Sequence, residues 1–433
     1  MKLFKRSTAL LLSALLLCGC GNAAAERTEQ EPAVTETEAA EQTPQAEETA
    51  DPAAASDPAK EAGEPETETA ATEEVLSAER DDLKGDDLMS LSAAELVSRM
   101  GIGWNLGNTL DAHGISDVTA ETFWGNPVTT KEMIDTIASA GFQSIRIPVT
   151  FADHMGPAPD YTVDEAWMAR VEEVVCYALD NDMYVILDSH HEEEWRIPDN
   201  AHIDATDAQL RALWTQIATH FRDYDAHLIF EGQNEPRVVG GANEWNGGTP
   251  EGRACINRLN DAFIEAVRAT GGNNEKRLLL ITSFASSATG AAINDVILPA
   301  DAHIALSIHA YTPYYFTYDG SDGTFYSTWD SSHRGEIESV FADLQRVFLD
   351  KGIPVLITEM GAEDKQGNSA DVSAWVTDYL QIAKSHGIPC FWWDNGLFQE
   401  GNEYFAIFDR NTLNWYRPEV VGAMMAVYDG EAN

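Results

Sequence analysis

Two glutamates that lie far apart in the sequence follow the same kind of segment. Glu235 comes just after the apolar run 228–231, and Glu359 ends the apolar run 354–359. Each run is too short for a helix and is typical of a buried parallel strand, whose carboxyl end is where α/β folds present reactive groups. Paired carboxyl groups can cleave a glycosidic bond, because one protonates the leaving oxygen while the other attacks the anomeric carbon or activates water. Repulsion between them raises the pKa of one carboxyl, which then stays protonated to act as the acid.

Polar side chains stand at the ends of most other short apolar runs as well. Seven of eight candidate strands end in charged, amide, imidazole or aromatic groups, and only the run 278–282, followed by Ser283, lacks an obviously reactive one. Helix caps alone would not give this regularity, so the pattern predicts one convergent site. The residues are Asn105, Asn108, Arg146, Asp188, His190, His191, Asn234, Glu235, His309, Tyr311, Glu359, Trp392, Trp393 and Asp394.

The elements that must position these residues alternate along the chain. Candidate strands are 101–108, 144–148, 184–189, 228–231, 278–282, 304–309, 354–359 and 390–393. Helical patterns lie between them at 129–140, 164–181, 207–222, 252–269, 332–351 and 373–386, with a weak one at 291–297 and a capping-box pattern from Thr129 to Glu132. Eight strands alternating with helices predict a single (β/α)8 TIM barrel. A doubly wound open sheet is the alternative, but the Gly-rich phosphate turn that it normally carries after its first strand is not found there.

The first 19 residues have the features of a secretory signal. Lys2 and Lys5 precede the apolar run 9–17, which is too short to span a membrane and is followed by the tetrad LCGC at 17–20. This tetrad resembles a bacterial lipobox, which implies cleavage before Cys20 and lipid attachment to its thiol. The chain is then expected on the extracellular face of a bacterial cell, anchored only by the lipid. An ordinary secreted protein is the alternative.

Residues 20–80 are rich in Ala, Glu, Thr and Pro and nearly lack large apolar side chains. Such a segment cannot bury enough apolar surface to offset its chain entropy, so it is predicted to be a disordered tether before a catalytic domain at 88–430. Much of the net charge of −45 lies in this segment, and it argues against nucleic acid as a partner. A monomer is expected. The spacing of the remaining cysteines, Cys176, Cys255 and Cys390, is typical neither of a disulfide framework nor of a zinc site. A single disulfide among them is the remaining alternative.

Seven blocks of the sequence resemble glycoside hydrolase family 5, the cellulase family, and occur in that family's order between about residues 95 and 420. Each lies at the end of an independently proposed strand. The blocks are GWNLGNTLD at 103–111, SIRIP at 144–148, HHE at 190–192, LIFEGQNEPR at 228–237, HAY at 309–311, ITEMG at 357–361 and FWWDNG at 391–396. The resemblance implies a retaining endo-β-1,4-glucanase with no cofactor. The first block is similar to the branch that includes cellulases, xyloglucanases, lichenases and xylanases. The resemblance therefore does not decide which glucan is the substrate.

The resemblance also implies catalytic roles for the matching residues. Glu235 would be the acid/base and Glu359 the nucleophile of a double displacement. Asn234 would bond the sugar 2-hydroxyl, a contact that strengthens in the transition state. Arg146 and Tyr311 would keep the nucleophile ionised and aimed, because charge-assisted hydrogen bonds favour the carboxylate.

Further residues are implied to support the acid or bind sugar. His309 would tune the acid/base, while His190 and His191 line the sugar site. Trp393 would stack on the apolar face of a glucose ring, and Asn108 would contact the sugar.

Two other functions are compatible with parts of this pattern. His190, His191 and Glu192 could belong to a metal-dependent hydrolase, with His309 and Asp188 as further ligands. A non-catalytic glycan-binding lipoprotein is the other alternative, and the presence of both glutamates argues against it. Asp188 departs from the family pattern, where relatives often have asparagine.

Large aromatic side chains fill cores more often than they bind sugars. Trp392 is therefore predicted to pack inside the fold. Five tryptophans lie in or near predicted loops, and about two of them are expected to form sugar platforms: Trp104, Trp124, Trp195, Trp245 and Trp329.

Overall fold

A computed structural model describes residues 88–318, 324–365, 367–398 and 403–429. Within them, eight parallel strands form a closed barrel in sequence order, with the first strand pairing with the eighth. The predicted (β/α)8 TIM barrel is confirmed and the open sheet is wrong. The strands are β1 Ile102–Leu106, β2 Ser144–Ile147, β3 Tyr184–Asp188, β4 Leu228–Glu231, β5 Leu279–Ser287, β6 Ile304–His309, β7 Val355–Met360 and β8 Cys390–Asp394, and a small hairpin adds β9 Phe408–Asp409 and β10 Asn414–Trp415.

Helices surround the barrel and match the predicted order. Those of the described residues are α1 Ala93–Val97, α2 Lys131–Ser139, α3 Glu165–Leu179, α4 Ile203–His220, α5 Pro250–Ala269, α6 Gly290–Asn294, α7 Tyr314–Thr317, α8 Arg334–Val347, α9 Ser369–Ser385 and α10 Pro418–Asp429. The capping prediction at Thr129 is wrong by one residue. Thr130 is the N-cap of α2 and its hydroxyl accepts from Met133 N, whereas the Thr129 N–H donates to Glu121. None of these helices is long and apolar enough to cross a membrane.

Successive side chains along each strand point to opposite faces of the sheet and pack in two separate apolar regions. In β2, Ile145 and Ile147 pack in the large core between strands and helices, so Ser144 and Arg146 face the barrel interior. A second cluster contains Ile186, Ile229, Leu280, Leu356 and Phe391 from the strands, together with Leu96 and Val97 of α1. The interior is therefore a packed core, and the polar residues concentrate at its carboxyl-terminal mouth.

Strand β1 passes so close to β8 that one position needs glycine. A Cβ on Gly103 would lie 2.1 Å from Phe391 Cδ1, inside van der Waals contact with a buried ring. Gly103 thus lets the Phe391 ring fill the barrel between the two strands.

Strand β5 is longer than the sequence predicts. It continues beyond Thr282 to Ser287, and its pairing with β6 shifts register in between. Ala285 and Ser286 adopt positive φ values of 53° and 48° in this irregular part. The Ser286 hydroxyl donates to the backbone carbonyl of Asn234, so the strand that lacked a reactive residue supports the catalytic segment after β4.

Cys176, Cys255 and Cys390 are free thiols in the structure, so the possible disulfide among them is not formed. The predicted signal 1–19, Cys20 and the tether 20–80 lie outside the described residues. Those predictions, and the domain limits 88–430, stay predictions.

Candidate active site

Glu235 and Glu359 face each other across the barrel mouth. Glu235 stands just after β4 and Glu359 lies within β7, three strands away around the barrel. One oxygen of each carboxylate and one ring nitrogen of His309 all lie within 4.8 Å of one another. This proximity is closer to the separation of about 5–5.5 Å between carboxyl groups in retaining glycosidases than to the about 6.5–9.5 Å of inverting ones.

Arg146 is the cation at the floor of this site. Its guanidinium donates to Glu231 through Nε at 2.7 Å and Nη2 at 3.0 Å, and to Glu359 Oε1 through Nη1 at 2.6 Å. It also forms an ion pair with Asp188 and donates to Asn234 Oδ1 at 2.9 Å. The guanidinium is fully buried, and burial alone would lower its pKa, but the surrounding carboxylates raise it well above the ordinary value. One buried cation therefore holds three carboxyl groups and the Asn234 amide in place.

Glu359 is held from two sides. Tyr311 donates its hydroxyl to Oε2 at 3.0 Å, opposite the Arg146 contact at Oε1. Burial raises the pKa of Glu359, and the charges of His309 and Arg146 only partly offset this effect. Both carboxylate oxygens are thus fixed in direction, and the group takes up a proton at a higher pH than an ordinary glutamate.

His309 connects the two glutamates. Its Nδ1 lies 2.8 Å from Glu235 Oε1 and 3.4 Å from Glu359 Oε2. Burial would lower the pKa of His309, but the charge of Glu359 and the hydrogen bond with Glu235 outweigh burial and raise it. For Glu235, burial would raise the pKa, but the hydrogen bond and charge of His309 lower it overall. The raised carboxyl pKa therefore belongs to Glu359 and not to Glu235, contrary to the expectation for the acid, and His309 is the group beside Glu235 whose raised pKa favours holding a proton.

Comparisons with known proteins agree with this geometry. The model of "Cellulase (glycosyl hydrolase family 5)" matches residues 110–399. Endoglucanase A of Ruminococcus albus is 55% identical over 343 residues, which cover 79% of this chain and 94% of the relative. The chain belongs to glycosyl hydrolase family 5.

Solved structures of the family superpose on the whole barrel. A xyloglucan-specific endo-beta-1,4-glucanase from a metagenomic library, in complex with cellotriose, is 47% identical with a TM-score of 0.75 and covers 77% of this chain and 98% of its own. A broad-specificity endoglucanase from Ruminococcus champanellensis with bound cellotriose is 46% identical with a TM-score of 0.75, and its coverage is 77% and 98%.

The residues that the family resemblance assigns to sugar binding also meet at the mouth. The rings of His190 and Trp393 are parallel, 1° apart in plane with centroids 5.8 Å apart. A Cβ on Gly107 would lie 2.7 Å from Trp393 Cη2, so this ring position depends on glycine. The ring of His191 is 4.6 Å from that of His190, and Asn108 sits on the neighbouring loop with a positive φ of 55°. The four residues thus form one wall beside the carboxylate pair.

Most of the tryptophans belong to the core. Trp104 and Trp392 are buried, which confirms packing for Trp392 and removes Trp104 as a sugar platform. Trp195 and Trp329 pack against the core, and their indole N–H groups donate to carboxylates at 2.6 and 2.9 Å. Four of the seven tryptophans considered from the sequence are therefore structural.

Two of the five loop tryptophans stay open to the mouth. Trp124 is half-buried beside the rings of His113 and His191, at 5.1 and 5.6 Å between centroids. Trp245 is 49% exposed and stacks against Arg237, whose Nη1 lies 3.9 Å from Glu235 Oε2. Trp124 and Trp245 are therefore the two loop tryptophans that remain candidates for sugar platforms, and their role stays a prediction.

Glu231 is a residue of this site that the sequence analysis did not include. Its carboxylate is fully buried, binds Arg146 with both oxygens, and accepts from Ser307 Oγ at 2.7 Å. The available signal was an acidic residue inside an otherwise apolar strand, since a buried charge requires a partner. Asp188, which departs from the family pattern in the sequence, is likewise a fully buried partner of Arg146.

Among the residues that the structure describes, two groups of side chains have the composition and spacing to hold a metal ion. They are Glu235, His309 and Glu359, which form the carboxylate pair just described, and Asp111, His190 and His191 in the neighbouring wall. The metal-hydrolase alternative grouped His309 and Asp188 with the two adjacent histidines. In the structure His309 binds Glu235, whereas Asp188 binds both Arg146 and the Nδ1 of His190.

Proposed function

We propose that this chain is a retaining endo-β-1,4-glucanase in which Glu235 is the acid/base and Glu359 the nucleophile. The observation that supports it most is the approach of the two carboxylates to within 4.8 Å across the barrel mouth. This separation favours direct attack by a carboxylate over attack by an interposed water. The substrate is cellulose or a related β-glucan, such as mixed-linkage glucan or xyloglucan.

The reaction proceeds in two displacements. In the first, Glu235 transfers its proton to the glycosidic oxygen while a Glu359 oxygen forms a bond to the anomeric carbon, and the bond to the leaving sugar breaks. In the second, Glu235 takes a proton from water, the water oxygen attacks the same carbon, and the ester to Glu359 breaks. Two inversions give net retention. Arg146 and Tyr311 stabilise the departing carboxylate, and Asn234, held by Arg146, is oriented towards the sugar 2-hydroxyl.

His309 keeps a proton available for the first step. Its Nδ1 is 2.8 Å from Glu235 Oε1, so a proton held between them reaches the carboxyl by a single transfer. The leaving oxygen then receives it from Glu235. The pH range of activity is therefore set by three groups and not by the two glutamates alone.

Replacing His309 with asparagine is expected to move the acidic limb of the pH profile of kcat/KM to higher pH. Activity needs Glu359 ionised, so it falls as the pH drops through the raised pKa of Glu359, and loss of the His309 charge raises that pKa further. Activity also needs the proton shared by His309 and Glu235, which in the unchanged protein is lost as the pH rises through the raised pKa of His309. In the variant Glu235 holds this proton alone, and its pKa is no longer lowered by His309, so the basic limb moves as well. The pH profile of kcat/KM, measured with a water-soluble β-glucan, reports both limbs.

The control for this profile is His202→Asn, which removes an exposed histidine paired with Asp199 at 2.7 Å. Its pH limits should equal those of the unchanged protein. A His309→Asn profile with both limbs unmoved would contradict the shared-proton assignment.

The substrate and the stereochemistry can be tested together. Endoglucanase names and cellotriose complexes among the relatives support a β-1,4-glucan substrate. Products should be measured over carboxymethyl-cellulose, mixed-linkage glucan, xyloglucan, mannan and xylan, with proton NMR of the first anomer released. We expect internal cleavage of at least one β-glucan with retention. Release of the inverted anomer would overturn the two-displacement mechanism, and absence of cleavage would favour a non-catalytic glycan-binding protein.

Activity should survive dialysis against a chelator, because both displacements use carboxyl groups and no metal. Complete loss on dialysis, restored by added metal, would instead support the metal-dependent hydrolase.

Trp393→Ala should lower kcat/KM by about 10-fold or more, since loss of an aromatic surface under a sugar removes about 1–1.5 kcal/mol of binding. Trp393→Phe should retain most of the activity, because it keeps an aromatic face above Gly107. The comparison is made on the same soluble β-glucan. Equal activities of the alanine variant and the unchanged protein would remove Trp393 from the sugar site.

We also propose that the chain is a surface lipoprotein and a monomer. The LCGC tetrad at 17–20 supports lipid attachment to Cys20, and the acidic segment 20–80 would hold the barrel away from the membrane. Labelling with radioactive palmitate should be lost in Cys20→Ala, and the protein should then leave the membrane fraction. Label that persists in this variant would contradict the anchor.

A further inference from the structure

A set of metal-ligating side chains lies in the wall beside the carboxylate pair. Asp111, His190 and His191 each offer one ligand atom, and these atoms lie within 4.8 Å of one another. Two imidazoles and one carboxylate are a donor set that zinc sites use, with bonds of about 2.0–2.2 Å and a fourth position left for water.

The surroundings of the two imidazoles orient them for a metal. His190 Nδ1 lies 3.0 Å from Asp188 Oδ2, and His191 Nδ1 lies 3.4 Å from Glu193 Oε1. An ionised carboxylate can only accept, so each Nδ1 carries the hydrogen and each Nε2 keeps its lone pair. A carboxylate behind a histidine in this way fixes the tautomer and raises the basicity of a ligating nitrogen.

The third ligand is held rigidly. Asp111 accepts from the backbone N–H groups of Asn108 and Thr109, at 2.9 and 2.6 Å, with one carboxylate oxygen each. Each oxygen keeps a further lone pair for a cation. The exposed His113 ring lies 5.4 Å from that of His191 and stands where an additional imidazole could approach.

We propose that Asp111, His190 and His191 bind a divalent transition metal of the zinc type, and that the bound ion blocks the binding of sugar at this site. The ion would occupy the wall formed with Trp393, whose ring is parallel to that of His190. Metal binding is thus inhibitory and competes with the glucan. The inhibition rests on the proposed function, whereas the binding itself does not.

Calorimetric titration of the full chain with zinc chloride measures the zinc affinity and tests the site. His191→Asn should weaken zinc binding by about 10-fold or more, and Glu193→Gln, which removes only the orienting carboxylate, by about 10-fold. His202→Asn is the matched control, because it removes an exposed histidine with a similar carboxylate contact, and it should bind zinc as the unchanged protein does. His191 is half-buried, so its variant should fold, and circular dichroism checks this.

A rival location is the carboxylate pair with His309, and His309→Asn separates the two. Zinc affinity that falls in His309→Asn and stays constant in His191→Asn would overturn the proposal, as would the absence of saturable binding. Zinc should also raise the apparent KM for a soluble β-glucan, and inhibition that leaves KM unchanged would overturn the competitive part. Zinc binding that depends on His191 in a chain without glucanase activity would keep the site and overturn the proposed function.

Discussion

Glu359→Ala is expected to reduce kcat for β-glucan hydrolysis by about 10^4-fold or more, with the fold intact. The substitution removes the atom that forms the bond to the anomeric carbon, and loss of a nucleophile is among the largest single effects in enzymes. Arg146 keeps Glu231 and Asp188 as partners in this variant, so the buried cation is not left alone. Turnover of carboxymethyl-cellulose and thermal unfolding measure the two effects separately.

Azide distinguishes the roles of the two glutamates. In Glu359→Ala, azide can occupy the vacated space and attack the anomeric carbon once, giving an α-glycosyl azide. In Glu235→Ala, Glu359 still forms the ester and azide displaces it, giving a β-glycosyl azide. Glu338→Ala is the control, since this carboxylate lies on α8 with 57% of its side chain exposed. Wild-type hydrolysis by Glu359→Ala would refute the nucleophile assignment.

Arg146→Met should destabilise the fold by about 3–5 kcal/mol, the range observed when one partner of a buried ion pair is removed. The side chain of Arg146 is fully buried, and its loss leaves Asp188, Glu231 and Glu359 without their shared cation. These groups must then take up protons or draw in water. Urea unfolding measures the change.

Two further variants make this prediction specific. Arg346→Met removes an exposed arginine paired with Asp343 and should change the unfolding free energy by no more than about 0.5 kcal/mol. Arg146→Met combined with Glu231→Met should recover part of the loss, because the second change removes an uncompensated carboxylate. A destabilisation below about 1 kcal/mol in Arg146→Met would show that the carboxyl groups are satisfied without the guanidinium.

The sequence by itself determined the barrel and the pair of glutamates. Short, mainly apolar runs such as Ser144–Ile147 and Leu228–Glu231 fall where the strands are, because a strand buried on both faces is mostly apolar. Polar residues that follow such runs converge at the mouth, since all parallel strands end at the same edge. Glu235 and Glu359, 124 positions apart in the chain, could therefore be paired before any coordinates.

Only the tertiary structure decided which side chains share a contact. The contacts of Glu231 and Asp188 could not be predicted, because a charge in a strand has no partner in its own segment and Arg146 reaches both from another strand. The burial of the tryptophans could not be decided from the sequence either. Trp104 and Trp245 both lie near predicted loops, yet Trp104 is buried and Trp245 is exposed, because packing by distant elements sets burial. Sequence patterns indicate where each strand lies along the chain. Distances between side chains depend instead on the register of strands that meet only when the barrel closes.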